Sequence, residues 1–200
     1  MDGLLPLITG FGLAAGAGGR ASLVALLLGI SHYTPYFELA PSFHWLASIP
    51  VLFILSVIGL TEMWVDSHPD FKEFAHYPTY LSAFLVGFIA LAASTGDVDS
   101  DILSLAGSGI LGGVTGTVAR YARNEVTEFI DNTTGALGDV LGDGALNTKR
   151  SMMENVATVS IVGATITLPI VGVVAAVLLL IGGVVWSRRS SVDPVLPSDT

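Results

Sequence analysis

The sequence predicts an all-α integral membrane protein of about six transmembrane segments, arranged as two inverted three-span repeats with glycine- and proline-interrupted helices. Three observations predict it. Of 200 residues, 52% are hydrophobic and only 12% are charged, about half the charged share of a soluble domain. The apolar residues gather into runs of the length a bilayer demands. A glycine pattern in the first run returns in the fourth.

The first half, 1–94, holds spans at about 4–30, 46–65 and 78–93, and the second half, 102–187, holds spans at about 102–117, 155–168 and 169–186. The opening "MDGLLPLITG" has no basic n-region, and its apolar stretch is too long for a signal-peptide core, so a retained first span is expected. The second span contains "VLFILSVIGL", and the third opens with Pro78, a residue suited to a first helical turn. The last apolar run, 155–186, is too long for one untilted span and is divided at Pro169. The tail, 188–200, is polar and proline-containing, and is expected to be disordered.

Basic residues set the expected orientation. Six spans with a cytoplasmic N-terminus place Lys72, Arg120, Arg123, Lys149, Arg150, Arg188 and Arg189 on the cytoplasmic side, together with the C-terminus. The outer loops, "SHYTPYFELAPSFH" and "STGDVDSD", contain no lysine or arginine. By the positive-inside rule this is a multi-pass protein of the inner, cytoplasmic membrane. The absence of cysteine excludes disulfides, thiol catalysis and thiolate metal sites. A net charge of −9 argues against a nucleic-acid partner and against recruitment by a polybasic segment. The expected partners are the lipid bilayer, a small solute or ion, and further copies of the chain in a homo-oligomer.

"GFGLAAGAGG" (Gly10 to Gly19) aligns without gaps on "GSGILGGVTG" (Gly107 to Gly116). Each copy opens a three-span half, and an odd number of spans inserts the halves in opposite directions. At about 100° per residue, Gly12, Gly16 and Gly19 share one helix face, and so do Gly109, Gly113 and Gly116. Such stripes let helix backbones approach closely. They serve either as packing surfaces alone or as a crossing of the first and fourth spans, where broken helices aim backbone groups at a solute.

Arg20 follows the first stripe, about 24 Å along a helix that begins near Leu4. An arginine there costs roughly 2.5–3.5 kcal/mol on insertion scales, so it must face protein or water. It would cap carbonyls of a broken helix, pair with a carboxylate, or contact an anionic solute. Glu62 and Asp66 are four apart and share a face at the end of the second span. They would form a solvated helix end, titrate as a pair or bind a coupling cation, and Glu62 is also a partner within reach of Arg20 if the first helix breaks.

The combination "GLAAGAGGRAS" with "LTEMWVDSHPDF" resembles a family of small prokaryotic membrane proteins known only as a domain of unknown function. The shared features are a Gly-rich first span ending in Gly18-Gly19-Arg20, and Glu62 and Asp66 followed by Pro69. Where that family tends to carry His and Lys after its fourth span, this chain has "VARYARNEV". The resemblance implies membrane residence and a compact helical fold, and no activity.

Other motifs carry less. "DSHPDFKEFAH" offers Asp66, His68, Asp70, Glu73 and His76 at no standard metal-ligand spacing. "DVDSD" lacks the glycine and glutamate of a calcium loop, having Ile102 and Ser108 in those places. "GDVLGDG" reads as a turn-rich loop without the strand of a phosphate-binding unit. "AGSG" around Ser108 resembles an intramembrane serine-protease motif, but no histidine follows His76 to act as base. No enzyme activity, metal or cofactor is therefore expected. The leading expectation is a transporter or channel for a small solute or ion, with its pathway between the first and fourth spans and with Arg20, Glu62 and Asp66 as contacts; Arg20 points to an anionic solute. The alternative is a non-transporting structural or lipid-interacting protein whose glycines serve packing and oligomerisation.

Overall fold

The computed structural model describes residues 4–66, 72–95, 102–141, 143–170, 174, 178 and 181, and their side chains except those of 66, 72–77, 102–104, 126–141, 143–151 and 153. Among the described residues every regular element is helical.

The first apolar run is two helices, α1 (Leu4–Ala17) and α2 (Ala21–Ser31). The end of α1 tightens: Gly18 N–H donates to Ala15 O at 3.1 Å and Gly19 N–H to Gly16 O at 2.9 Å, the three-residue spacing of a 3₁₀ turn. Arg20 is extended (φ −136°, ψ 103°). Helix α2 then restarts, with Val24 N–H donating to Arg20 O at 3.0 Å. Two consecutive glycines supply the weak point, because glycine loses the most entropy in a helix.

The chain reverses here. A Cβ on Gly16 would stand 3.5 Å from Cγ2 of Val24, whereas residues 16 and 24 of one straight helix lie about 12 Å apart along its axis. At the other end of α1, a Cβ on Gly10 would stand 3.2 Å from Cβ of Ser94, near the end of α4 (Lys72–Thr95). The loop after α2 reaches that same end of α4, with Ala40 N–H donating to Ala93 O at 2.9 Å. Helices α1 and α2 therefore form a hairpin. Its two ends lie beside the C-terminal end of α4, and its tip, Gly18 to Arg20, lies toward the other end of the bundle. A single span over 4–30 is replaced by this hairpin, and the 24 Å depth expected for Arg20 along one helix no longer applies.

The second apolar run is also bent. A 3₁₀ segment, Pro41–Ala47, precedes α3 (Ile49–Asp66). Pro41–Ala47 and Ile49–Val65 meet at 60°, and Ser48 between them donates its hydroxyl to Trp45 O at 2.7 Å. Pro78 sits inside α4 rather than in its first turn, which begins at Lys72.

Helix α5 (Ile102–Leu141) is one unbroken helix of 40 residues. At 1.5 Å per residue it is about 60 Å long, twice the hydrocarbon thickness of a bilayer. Helix α6 (Asp143–Thr167) begins well before the expected span at 155 and ends just before Pro169. The stretch "GDVLGDG", expected as a loop, is helical to Leu141 and again from Asp143. Most of the last apolar run, 171–186, and the tail lie outside the described residues.

Three contacts order α1 against α5. Cβ atoms built on Gly10 and Gly112 would both meet Leu91, at 3.0 Å from its Cα and 2.6 Å from its Cβ respectively. One on Gly116 would stand 3.2 Å from Ala14 O, and one on Gly18 would stand 2.5 Å from Cβ of Ala119. Residue numbers rise together along both helices, so α1 and α5 run in the same direction. An inverted repeat requires opposite directions, and the two glycine stretches are not related in that way.

Pro78–Thr95 is long and apolar enough to cross a membrane, and the bent pair Pro41–Ala47 with Ile49–Val65 is so when taken together. Only 33% of the α4 stretch is buried, unlike the core helix of a soluble protein. The outward face of α3 is apolar, with Ile49 80%, Phe53 68% and Leu60 66% exposed. An exterior of this kind marks a surface made for an apolar environment.

Candidate functional site: an arginine cluster at the hairpin tip

The tip of the hairpin brings together residues that are far apart in sequence. Gly18 lets α5 approach: a Cβ there would stand 2.6 Å from both the carbonyl carbon of Ala119 and the amide nitrogen of Arg120. A backbone that close cannot yield as a side chain would. Arg120 Nη1 then donates to Gly19 O at 2.9 Å. The exposed carbonyl end of α1 is thus capped by Arg120 from α5. The cap that the sequence assigned to Arg20 as one of its roles falls to a neighbour.

Arg20 itself is 4% exposed and pairs with Glu154 of α6, Nη2 to Oε2, at 3.8 Å. Glu154 also accepts from Arg123 Nη2. Arg120 and Arg123 are three apart and share a face of α5, so one face of that helix holds both the hairpin tip and α6. A second link ties the N-terminal half of α4 to α5, Asn124 Nδ2 donating to Tyr80 OH at 2.9 Å. On the exposed side of α5, Glu125 accepts a hydrogen bond from the Tyr121 phenol, and its charge opposes the phenolate. Both effects hold Tyr121 above its usual titration range.

Glu62 lies at the same tip with a different partner. Its carboxylate accepts from the hydroxyl of Ser22, in the first turn of α2. The amide groups of that turn have no helical acceptors, and Arg20, the N-cap, makes no side-chain capping bond. A carboxylate is the ion such an end favours. Asp66 ends α3, and its side chain lies outside the described residues, as do the side chains of "DSHPDFKEFAH" and the whole of "DVDSD". Ser108 donates its hydroxyl to Leu105 O at 3.0 Å, within its own helix.

The glycine stripes face different neighbours. Cβ atoms on Gly12, Gly16 and Gly19 would meet Thr165 Oγ1 at 2.7 Å, Val162 Cγ2 at 3.4 Å and Thr158 Oγ1 at 2.7 Å. These three residues form one face of α6. Gly109 and Gly113 instead seat the rings of Phe88 and Phe84, a Cβ on Gly113 standing 2.6 Å from Cε2 of Phe84, and Gly116 lies on the backbone of α4 at Ala83. The stripes do not meet across a central axis. Helices α1 and α5 meet at Gly18 and Gly116 instead.

Nothing in the sequence alone marks Arg120, Arg123, Glu154 or Ser22 as site residues. Only a partial signal is there: two arginines three apart just beyond an apolar run, and a glutamate immediately before the next one. Read along the chain they are ordinary loop charges, and only the hairpin shows what they surround.

Fold and site together define a class: a protein helical in every described element, with an apolar exterior and, at the tip of a helical hairpin, a buried arginine among half-buried charged residues. Within that class the chain belongs to the family described as Domain of unknown function (DUF4126), whose model matches residues 7–189. The match takes in the hairpin, the arginine cluster and Glu62. No curated protein and no solved structure matches the chain.

Proposed function

We propose that the protein is a multi-pass membrane protein that passes or carries a small anionic solute, with the hairpin tip as its contact site. The observation that carries this reading is a buried Arg20 at the break of a hairpin, beside the amino end of α2 and beside Arg120 and Arg123. Broken helices whose amino ends point at an anion are a recurrent device in transporters. Irregular backbone at membrane depth is tolerated where protein or water satisfies it, and here Arg120 does so.

Orientation follows from charge. Arg20, Arg120 and Arg123 gather at one end of the bundle, and helix direction places Lys72, Lys149 and Arg150 toward that end. The positive-inside rule reads it as cytoplasmic. The start of α1 then lies on the outer side, in place of the cytoplasmic N-terminus expected from six full spans. Helices α1 and α2, about 21 Å and 17 Å long, enter from outside and turn back short of a full crossing.

A second reading, a non-transporting structural protein, is favoured by two specific observations. Arg20 is sealed in an ion pair at 4% exposure, and side chains of α6 and α4 fill both glycine stripes. Flux into proteoliposomes separates the two. Chloride, inorganic phosphate and acetate are offered to vesicles holding wild type, Arg20→Lys or Arg20→Gln. The transport reading expects uptake of at least one anion by wild type, retained in part with lysine and lost with glutamine. Folded protein that passes none of the three leaves the structural reading, and equal uptake by Arg20→Gln removes Arg20 from the contact site.

A further inference from the structure

The end of the bundle opposite the arginine cluster is closed by residues 32–48, the loop and 3₁₀ segment between α2 and α3. Leu39 of this loop is fully buried, and Phe37 and Phe43 pack on the same core. Two histidines bracket the Leu39 backbone. Leu39 N–H donates to His32 Nδ1 at 3.4 Å, and Leu39 O lies 2.9 Å from His44 Nε2. The two imidazoles are themselves in contact, with centroids 4.7 Å apart and planes tilted by 44°.

These partners dictate the protonation of each ring. A backbone N–H facing Nδ1 of His32 requires a lone pair there, so His32 is neutral and carries its proton on Nε2. A carbonyl facing Nε2 of His44 requires N–H there, which the neutral and the charged ring both supply. A proton added to His32 therefore turns its acceptor into a donor aimed at another donor. A proton added to His44 leaves its bond to Leu39 intact. With both rings charged, two cations face each other at contact distance.

We propose that His32 is a proton-sensitive latch: neutral, it holds residues 32–48 closed over this end of the bundle, and on taking up a proton it releases them. Release of Leu39 weakens the adjoining Ala40–Ala93 hydrogen bond, which ties the loop to α4. It also loosens the seat of the 3₁₀ segment on α2, where a Cβ on Gly29 would stand 2.7 Å from Leu46 O. The latch thereby bears on the outer end of the hairpin.

Among the described residues the titratable neighbours do not cancel the effect. Tyr33 meets His32 edge-on at 5.8 Å, and its hydroxyl donates to Ala47 O at 2.6 Å. Tyr36 and Glu38 are exposed. The described first turns of α1 and α3 and the last turn of α4 contribute no titratable side chain. The inference does not rest on the transport reading, since it concerns the other end of the molecule.

Hydrogen exchange of the full-length protein in lipid nanodiscs tests it, following backbone amides 33–48 at pH 7.5 and pH 5.5 with chemical exchange rates corrected. Wild type is expected to lose protection on acidification, by about tenfold per pH unit on the acid side of the titration. His32→Asn keeps an acceptor near Nδ1 without titrating, and is expected to stay protected at both pH values. His44→Gln keeps a donor near Nε2 and is expected to retain the acid loss. Unchanged protection in wild type, the same acid loss in His32→Asn, or its disappearance in His44→Gln overturns the latch. Nitrogen spectra of ¹⁵N-histidine wild type need no variant: a protonated Nδ1 on His32 in the closed state at pH 7.5 overturns it equally.

Discussion

Replacing Gly12 by alanine tests which surface the first glycine stripe packs against. A Cβ at this position would stand 2.6 Å from Cγ2 and 2.7 Å from Oγ1 of Thr165, with Cβ of Thr165 at 3.3 Å. Thr165 is fully buried, so it has no room to swing away. Overpacking of this kind costs about 1–3 kcal/mol, and alanine's better helix propensity offsets up to about 1 kcal/mol of it. Gly12→Ala is expected to lower the unfolding midpoint by roughly 2–4 °C for each net kcal/mol. Thr165→Ala removes both close atoms and leaves only the 3.3 Å contact, so the double variant should recover most of the loss. Gly163→Ala on the same helix is the internal reference. A Cβ there meets nothing within 4 Å, and the change should be neutral or mildly stabilising. The assay is thermal unfolding of purified protein in detergent, followed by tryptophan fluorescence and circular dichroism. If Thr165→Ala fails to rescue Gly12→Ala while a change on α5 does, the stripe packs against α5, and the arrangement of α1 between α5 and α6 is wrong.

Three further outcomes follow from the same structure. Glu154→Gln leaves two arginines facing a neutral amide. Because the partners are 4%, 20% and 18% exposed, the loss should fall between the ~1 kcal/mol of an exposed pair and the ~3–5 kcal/mol of a buried one. Chemical unfolding reads that loss, and a stability equal to wild type would remove Glu154 from the cluster. Tyr121 should titrate above the ordinary tyrosine range in absorbance at alkaline pH, and Glu125→Gln should bring it down, since the carboxylate favours the protonated phenol. An unchanged or higher titration range in Glu125→Gln would show that Glu125 does not face it. Leu5→Cys gives a single thiol in a chain without cysteine, at a side chain that is 52% exposed. An impermeant maleimide should label it from outside intact cells, and labelling only after lysis would restore a cytoplasmic N-terminus.

Composition and the apolar runs made the helical class legible, because enough hydrophobic length and too little charge leave few other folds. The glycines of the first stripe were legible as a packing surface, since their spacing sets them on one face whatever they meet. Arg20 was legible as a residue needing a partner. Its partner was not, because Glu154 is brought to it only by the packing of α6 along α1. Glu62 was placed at the end of its helix, yet its partner Ser22 depends on where α2 restarts.

The face a residue takes along one helix is a local property, and the sequence by itself determined it: which residues share a face, and which are too costly to leave unpaired. Direction is not local. The same residues 4–30 serve a straight span or a hairpin, and the choice turns on two glycines that permit a reversal without compelling it. Tertiary packing decided it, by seating Gly18 against the α5 backbone and giving the open carbonyl of Gly19 to Arg120. That one reversal set α1 parallel to α5, undid the inverted repeat, and turned a stray buried arginine into part of a four-residue charged cluster.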